Sequence, residues 1–329
     1  MPQTLNDILS ALQTAGIPFP TTPAYIENNL NSTFELRPYQ IEAFGRFLHY
    51  LDNDKLRQKP AQLLFHMATG SGKTLIMAGA ILHLYSKGYR NFLFFVNSTN
   101  IINKTRDNFL NPLSPKYLFS EIIAFDDKKV VIREVDNFQS TNEDCINIVF
   151  STIQGLHSRL NTPRENSITY DDFVDKEVVL ISDEAHHINV DTKRGKLGIL
   201  EFEEMESWET TVNRIFRSNN QNILLEFTAT VDLSIPEITS KYSDKIIFDY
   251  PLKQFRLDGY SKEVKVFQSD VPMIQRALQA VLLSQYRRKI FEKNKKLVKP
   301  VILFKSKTIA ESKSFYSEFI AKIKNLKEI

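Results

Sequence analysis

Short, almost wholly apolar runs alternate with stretches of helical periodicity along most of this 329-residue chain. Residues 92–96 read FLFFV and residues 178–182 read VVLIS, a pattern typical of strands that are covered on both faces. The apolar runs are 63–66, 92–96, 121–125, 130–135, 146–151, 178–182, 223–227, 245–248, 264–267 and 300–304. Helical periodicity occurs at 37–51, 74–87, 98–110, 208–217, 271–292 and 307–325. This alternation predicts an α/β fold in which helices wrap a parallel sheet.

A boundary between two lobes is predicted at residues 250–263, where the turn-rich, polar stretch YPLKQFRLDGYSKE interrupts the alternation. Residues 1–33 read as an N-terminal extension and residues 34–250 as a complete lobe. Residues 251–329 hold the connector followed by one helix, one strand and one helix, which is too little for a second complete α/β domain. We therefore expect the chain to be the N-terminal piece of a longer protein, with an unfinished second lobe.

Composition narrows the class of protein but not its activity. The chain is 42% hydrophobic and 25% charged with a formal net charge of +3, so bulk charge argues neither for nor against nucleic acid. Cys145 is the single cysteine, which excludes disulfides within the chain and a cysteine-based zinc site. The start MPQTLNDILSALQTAG lacks a basic, apolar leader, and no run approaches the roughly 18 apolar residues of a membrane helix. A cytoplasmic protein without membrane contact is expected.

The stretch HMATGSGKTLIMAG at 66–79 contains most of a phosphate-binding loop, although Met67 stands where the first glycine of G-x-x-x-x-G-K-[ST] belongs. A strand precedes it and a helix follows it, which is the context that the motif requires. Lys73 would bridge the β- and γ-phosphates of ATP, and the Thr74 hydroxyl would bind Mg²⁺. The other interpretation is a Gly-Ser-Gly turn that happens to precede Lys-Thr. Backbone N–H groups facing the phosphates are expected from Thr69, Gly70, Ser71 and Gly72.

A second acidic element follows the apolar run 178–182, where Asp183 and Glu184 occupy the end of the predicted strand. Asp183 would complete the Mg²⁺ shell, and Glu184 would polarise the attacking water. The alternative is an acidic strand end that simply faces solvent. His186 and His187 follow, but no H-E-x-x-H pattern or cysteine partner supports a metal site there.

Six segments, one of which contains Asp183-Glu184, occur in a specific order around the phosphate loop. They are FELRPYQIEAF (34–44), FLFFVNSTN (92–100), IVFSTIQGL (148–156), ISDEAHH (181–187), LLEFTAT (224–230) and PVILFKSKTIAES (300–312). This order resembles superfamily-2 helicases and translocases of the DEAD/DEAH type, from residue 34 to near the end of the chain. Within that group, DEAHH, ESWETTVNRIF (206–216), NILLEFTAT and the connector resemble the motor (Res) subunit of type III restriction enzymes.

The resemblance implies a RecA-like P-loop NTPase lobe followed by the start of a second one. It also implies a DNA translocase that uses ATP and Mg²⁺, double-stranded DNA as a partner, and a methyltransferase subunit as another. Arg37 and Gln40 would recognise adenine, although this segment also reads as an ordinary helix start with proline at its first position. Thr228, Ala229 and Thr230, with His186, would couple hydrolysis to lobe movement.

Nucleic-acid contacts are implied at three places. Loop residues after two predicted strands would contact the phosphate backbone, and Lys305 and Ser306 would do so from the second lobe. Taken singly, these residues are also ordinary polar loop groups or a solvated basic cluster. The loop residues are Ser98, Thr99, Thr152 and Gln154.

The arginine motif Q-x-x-G-R-x-x-R, which completes the ATP site in such enzymes, does not follow residue 306. Since such an arginine raises the rate by orders of magnitude, we expect this chain to bind ATP and to hydrolyse it poorly. A type I restriction motor and a general DNA or RNA helicase remain alternatives. A module that binds nucleotide and a partner subunit without turnover is the alternative from a different functional class.

Overall fold

The computed structural model describes residues 4–126, 128–139, 141–162, 167–184, 199–232, 235–262 and 265–327. The chain divides into two compact units, Met1–Lys262 and Glu263–Ile329. The helices of the first unit are α1 Leu5–Thr14, α2 Ala24–Glu27, α3 Pro38–Leu51, α4 Lys73–Ser86, α5 Thr99–Leu110, α6 Ile153–Asn161, α7 Ile199–Arg217, α8 Pro236–Tyr242 and α9 Leu252–Leu257, with a 3₁₀ turn at Asp171–Phe173. Its strands are β1 Ala61–Met67, β2 Asn91–Val96, β3 Ile123–Phe125, β4 Lys128–Glu134, β5 Cys145–Thr152, β6 Val178–Asp183, β7 Ile223–Thr228 and β8 Ile246–Tyr250.

The eight strands form one sheet in the order β3-β4-β5-β2-β6-β7-β1-β8. Every neighbouring pair is parallel except β3 and β4. The predicted α/β class, with a mostly parallel sheet wrapped by helices, is confirmed. Because the seven parallel strands run in one direction, their carboxyl ends meet at one edge of the sheet, and the loops that follow them share that edge.

Both faces of the central strands are buried, as the apolar runs predicted, whereas β4 near one edge is largely exposed. On one face, Phe65, Phe94 and Phe227 belong to the core cluster that packs beneath α3, α4 and α5. On the other face, Leu93, Leu180 and Leu224 pack with residues of α6 and α7. Strands β2 and β6 therefore consist almost entirely of buried residues, and the polar Asp183 appears only where β6 ends.

The N-terminal segment is integrated into the first unit. Thr4 caps α1 by accepting a hydrogen bond from the Asp7 backbone at 3.1 Å, and Leu5 and Leu9 are buried. The Leu5 amide donates to the Ser243 carbonyl at 2.7 Å, and α1 packs against the edge strand β8. Helix α1 thereby covers an edge that would otherwise stay open.

In the second unit, α10 Met273–Lys293 packs against α11 Ile309–Lys327 through Ile274, Ala277 and Phe315. The strands predicted at 264–267 and 300–304 are wrong within the residues described, since neither 265–267 nor 300–304 is in a strand. Val266, Val301 and Leu303 are 79–90% exposed. An apolar run becomes a stable strand only beside a partner strand, and this unit supplies none among its described residues.

Among the described residues, no helix combines the length and the apolar character that are needed to cross a bilayer.

Helices α3 and α4 approach closely at Gly79. A Cβ at this position would lie 2.3 Å from Phe44 Cζ and 2.6 Å from Phe44 Cε1, and Phe44 is completely buried. Glycine therefore sets the spacing between the helix that begins at the phosphate loop and the helix that carries Gln40.

We expect Gly79→Ala to lower the free energy of unfolding by about 1–3 kcal/mol, because overpacking outweighs the gain in helix propensity. Urea denaturation measures the change. In the double variant with Phe44→Leu, the space that the smaller side chain leaves should restore part of the loss. Additive losses in the double variant would show that the Gly79–Phe44 contact does not set the spacing.

His83 gives the first unit a pH-dependent stability. Burial lowers the pKa of His83 to about 4, Lys87 adds to the shift, and Asp52 opposes it. The unfolded chain, with a histidine pKa near 6.5, therefore takes up a proton that the folded chain refuses. The stabilisation is complete above pH 6.5 and is lost as the pH falls towards 4.

We expect His83 to reduce the free energy of unfolding by about 2 kcal/mol between pH 7.5 and pH 5. Chemical denaturation at both pH values measures this difference. His83→Gln carries no titrating group, so the variant should show a smaller pH-dependent difference than the unmodified chain, whatever its absolute stability. An identical difference in both proteins would assign the effect to other groups.

Candidate functional site

The predicted phosphate loop lies at the carboxyl edge of the sheet, between β1 and α4. Gly70 and Gly72 both adopt a φ of 83°, a left-handed conformation that favours glycine. Gly72 is also the residue before the first turn of α4. Met67 is the last residue of β1, so its backbone is extended, and its side chain is fully buried. The departure from the motif is therefore harmless here, because the glycine-dependent conformations fall at positions 70 and 72.

The Ser71 carbonyl fixes the shape of the loop from behind. The Tyr39 hydroxyl donates a hydrogen bond to it at 2.8 Å, and the Gln40 side-chain amide donates a second one, also at 2.8 Å. A Cβ on Gly72 would lie 2.4 Å from Gln40 Nε2. Only glycine at position 72 allows helix α3 to reach the loop in this way.

Gln40 is engaged by the protein rather than open to solvent. Its Oε1 accepts a hydrogen bond from the Arg37 backbone N–H at 2.9 Å, and the residue is 4% exposed. The residue therefore closes the start of α3 and holds the phosphate loop at the same time. Arg37, in contrast, is exposed.

Lys73 begins α4 after β1, Asp183 ends β6, and the two charged groups interact electrostatically. The Lys73 ammonium donates to the Met67 carbonyl at 3.3 Å, which keeps the side chain against the loop. Burial raises the pKa of Asp183 to about 6, Lys73 opposes the rise, and Glu184 adds to it. Thr74 lies in the first turn of α4 and is partly exposed. The site thus combines one partly buried carboxyl, one ammonium and one hydroxyl beside a curled backbone.

Glu184 has a φ of 56° and its backbone N–H donates to Asp183 Oδ1 at 3.0 Å. A glutamate in the left-handed region is strained, and such strain is concentrated at functional sites. The residues that follow, 185–198, are outside the described part of the chain, and the predicted coupling residue His186 is one of them.

Thr228 ends β7 and is fully buried. Its hydroxyl oxygen accepts a hydrogen bond from the Thr230 backbone N–H at 3.1 Å, which forms a tight turn around Ala229. Thr228 pairs with His66 of β1, and His66 Nδ1 lies 2.6 Å from the Asp249 carboxylate of β8. The predicted coupling turn therefore lies beside a histidine–aspartate hydrogen bond between β1 and β8 that the sequence did not reveal.

The predicted nucleic-acid residues of the first unit lie at the same edge. Ser98 and Thr99 begin α5, directly after β2. Thr152 ends β5 and caps α6 by accepting a hydrogen bond from Gly155 N–H at 3.0 Å. The amide of Gln154 donates to the side chain of Asn97, which joins the two loops. Hydroxyl and amide groups of the loops after β2 and β5 therefore lie together at the carboxyl edge of the sheet.

Lys305 and Ser306, the predicted backbone contacts of the second lobe, belong to the second unit. They line a cavity of about 290 Å³ together with Met273, Arg276 and Phe315. Lys305 is exposed and Ser306 is partly exposed.

A group of aromatic residues beside the phosphate loop was missed by the sequence analysis. The ring of Tyr39 stacks on Tyr250 with centroids 4.4 Å apart, and Tyr260 lies edge-on to Tyr39 at 5.1 Å. Two tyrosines and one phenylalanine of this group come from the stretch 250–260, which reads as a polar connector. Aromatic residues at intervals of five in that stretch were the available signal.

Comparison with known proteins identifies relatives along most of the chain. A family model described as the type III restriction enzyme, res subunit, matches residues 33–233. The HindVIP Res subunit of Haemophilus influenzae, named a probable type III restriction-modification enzyme, is 40% identical over 330 aligned residues. The alignment covers 93% of this chain and 63% of that protein, so the chain spans less than two thirds of the relative's length.

Solved structures with low similarity include a SWI2/SNF2 ATPase core from Sulfolobus solfataricus in complex with dsDNA. It is 16% identical, covers 71% of this chain and 40% of that chain, and has a TM-score of 0.36. The UvsW helicase of bacteriophage T4 is 14% identical, covers 75% and 77% of the two chains, and has a TM-score of 0.36. Likenesses of this degree carry no argument about the present chain.

The family match extends over more than half of the sequence and includes the phosphate loop, Asp183-Glu184 and Thr228-Ala229-Thr230. The resemblance inferred from the order of motifs is thereby confirmed, and the chain belongs to the family of type III restriction enzyme Res subunits.

Proposed function

We propose that this chain is the ATP-binding motor lobe of a restriction enzyme, which uses Mg-ATP to move along double-stranded DNA. The observation that carries the proposal is the electrostatic interaction of Lys73 with the partly buried Asp183 beside a loop curled by Gly70 and Gly72. A cradle of backbone N–H groups, a cation and a carboxylate are the groups that phosphoryl transfer requires.

The residues present fit a nucleoside triphosphate with Mg²⁺. A carboxylate that is buried and has a raised pKa is poorly solvated, so a divalent cation next to it would replace the lost solvation. Asp183 and the Thr74 hydroxyl are the oxygen donors that would hold Mg²⁺, which prefers such ligands. When bound, Mg²⁺ would neutralise charge on the phosphate oxygens. The backbone of residues 69–74 and the Lys73 ammonium would bind the phosphates themselves.

Each residue of the chain then has a distinct task. Lys73 moves from the Met67 carbonyl to the terminal phosphates, where its positive charge stabilises the negative charge that develops during transfer. Glu184 orients a water molecule and accepts its proton. Tyr39 and Gln40 keep the Ser71 carbonyl turned away from the phosphates, so that backbone N–H groups point towards them.

Arg37 and Gln40 would contact the adenine base in this proposal. Gln40 keeps one N–H and one oxygen lone pair beyond its two bonds within the protein, which suffices to recognise the edge of a base. Thr228, Ala229, Thr230 and His186 would transmit the state of the nucleotide to the second lobe.

DNA would bind along the surface formed by the loops after β2 and β5. Ser98, Thr99, Thr152 and Gln154 present hydroxyl and amide groups suited to phosphate oxygens and carry no sequence information. Lys305 and Ser306 would contact the same backbone from the second lobe. A methyltransferase subunit is the expected protein partner, as for a restriction-modification system.

We expect Lys73→Ala to weaken ATP binding by about tenfold or more, because a charge-assisted bond to the phosphates is removed. Binding of a fluorescent ATP analogue measures this. Lys87→Ala is the matched control: it removes a lysine at the far end of α4 that pairs with Asp52, and it should bind normally. If Lys73→Ala bound the nucleotide as tightly as the unmodified chain, the motor proposal would be disproved.

Turnover by the same proteins tests the enzyme reading against the binding-module reading. We expect slow ATP hydrolysis that depends on Lys73 and is hardly raised by duplex DNA. Fast, DNA-stimulated hydrolysis would mean that the need for the arginine motif is met in another way. Binding that depends on Lys73 with no hydrolysis at all would favour the module.

We expect Glu184→Gln to reduce hydrolysis by about a hundredfold, since the amide cannot accept the proton of water, whereas ATP affinity should stay within about twofold. Single-turnover hydrolysis and equilibrium binding separate the two effects. Equal losses in both measurements would assign Glu184 to binding instead of proton transfer.

A further inference from the structure

The connector at 250–260 packs against the phosphate-loop side of α3 through an aromatic group that we call the connector cluster: Tyr39, Tyr250, Phe255 and Tyr260. Tyr39, Tyr250 and Phe255 are 4–5% exposed, whereas Tyr260 is 37% exposed. The ring of Tyr260 lies parallel to that of Phe255, with centroids 5.8 Å apart. The backbone joins the loop as well, since Ala68 N–H donates to the Tyr250 carbonyl at 3.0 Å.

The guanidinium of Arg37 rests on this cluster. Its central carbon lies 5.0 Å from the centroid of the Tyr260 ring, and Nη1 donates to the Tyr39 hydroxyl at 3.2 Å. Since the Tyr39 hydroxyl in turn donates to Ser71, a short chain of contacts leads from the phosphate loop to the guanidinium. Arg37 is nevertheless exposed, so the ring and the hydroxyl hold a planar cation at the surface.

A planar, exposed guanidinium is a surface on which a nucleotide base stacks. An unsupported arginine side chain loses considerable rotamer entropy when it is fixed in one plane, and a ring beneath it removes part of that cost before the base arrives. Gln40 is buried and tied to the loop, which leaves Arg37 as the exposed planar group next to it.

Resting on the nucleotide site proposed above, we infer that Tyr260 is a positioning residue for the base: it holds the Arg37 guanidinium flat, and a purine base stacks on that guanidinium. The connector thereby forms part of the nucleotide site. Because coupling is reciprocal, a nucleotide that favours the stacked arrangement also favours the docked connector. The base would thus be sensed by the segment that leads out of the first unit.

The test compares two ligands that share the phosphates and differ in the base. Magnesium complexes of ATP and of inorganic tripolyphosphate are titrated onto the 329-residue chain and onto Tyr260→Leu and Tyr260→Phe. Leucine keeps apolar volume but removes the ring face, and phenylalanine keeps the ring face without the hydroxyl. We expect Tyr260→Leu to weaken ATP about fivefold and tripolyphosphate less than twofold, and Tyr260→Phe to leave both within twofold.

Each other result has a defined meaning. Equal weakening of both ligands by Tyr260→Leu would assign the residue to the folding of the loop and overturn the inference. Unchanged ATP affinity in Tyr260→Leu, with binding still weakened by Lys73→Ala, would overturn the inference and leave the proposed function intact. If Lys73→Ala bound ATP as tightly as the unmodified chain, the proposed function itself would be overturned.

A double-mutant cycle tests whether Tyr260 acts through Arg37. We expect Arg37→Ala to weaken ATP about tenfold, and Tyr260→Leu to add less than twofold in its presence, since the supported group is already gone. If the fold-changes in ATP affinity of the two single variants multiplied in the double variant, Tyr260 would act independently of Arg37 and the inference would be overturned. Circular dichroism of every variant confirms that the fold is retained before the affinities are compared.

Discussion

Two hydrogen bonds converge on the carbonyl oxygen of Ser71, and the geometry of the candidate site depends on them. The donors, Tyr39 and Gln40, are neighbours at the start of α3 and are both buried. Gln40 has room beside the loop because Gly72 carries no side chain, and Gly79 lets α3 lie close against α4. The shape of the phosphate loop is therefore fixed by a packing distance between two helices, and local sequence in the loop supplies only the permitted backbone angles.

The parallel sheet supplies the second condition, which is convergence. Lys73 and Asp183 are separated by more than a hundred residues, yet both follow strands that end at one edge. Burial at that edge raises the pKa of Asp183 to about 6, and the backbone of the neighbouring Glu184 is strained, with a φ of 56°. Poor solvation and strain cost stability in the isolated fold, and both are understandable where charged phosphates and a cation are to be bound.

The two units differ in how completely their apolar groups are used. In the first, the sheet, its helices, α1 and the connector cluster bury nearly every aromatic side chain of the core. In the second, two helices share a small cluster, and Leu297, Val301 and Leu303 remain 86–90% exposed. Apolar runs in that unit have the composition of strands, but residues 265–327 include no neighbouring strand that would pair with them.

Residue periodicity and motif order determined much of this protein by themselves. The run of apolar residues in FLFFV and VVLIS can be buried only inside a sheet covered on both faces, and the placement of Lys73 and Asp183-Glu184 after such runs predicted the edge at which they meet. Periodicity did not show that, among the described residues, Val266 and Val301 have no neighbouring strand to pair with, because pairing depends on a strand elsewhere in space. Nor did it show the engagement of Gln40, the His66–Asp249 pair or the support of Arg37 by Tyr260. Those contacts join residues up to more than two hundred positions apart, and only the tertiary structure decides which distant side chains come within bonding distance.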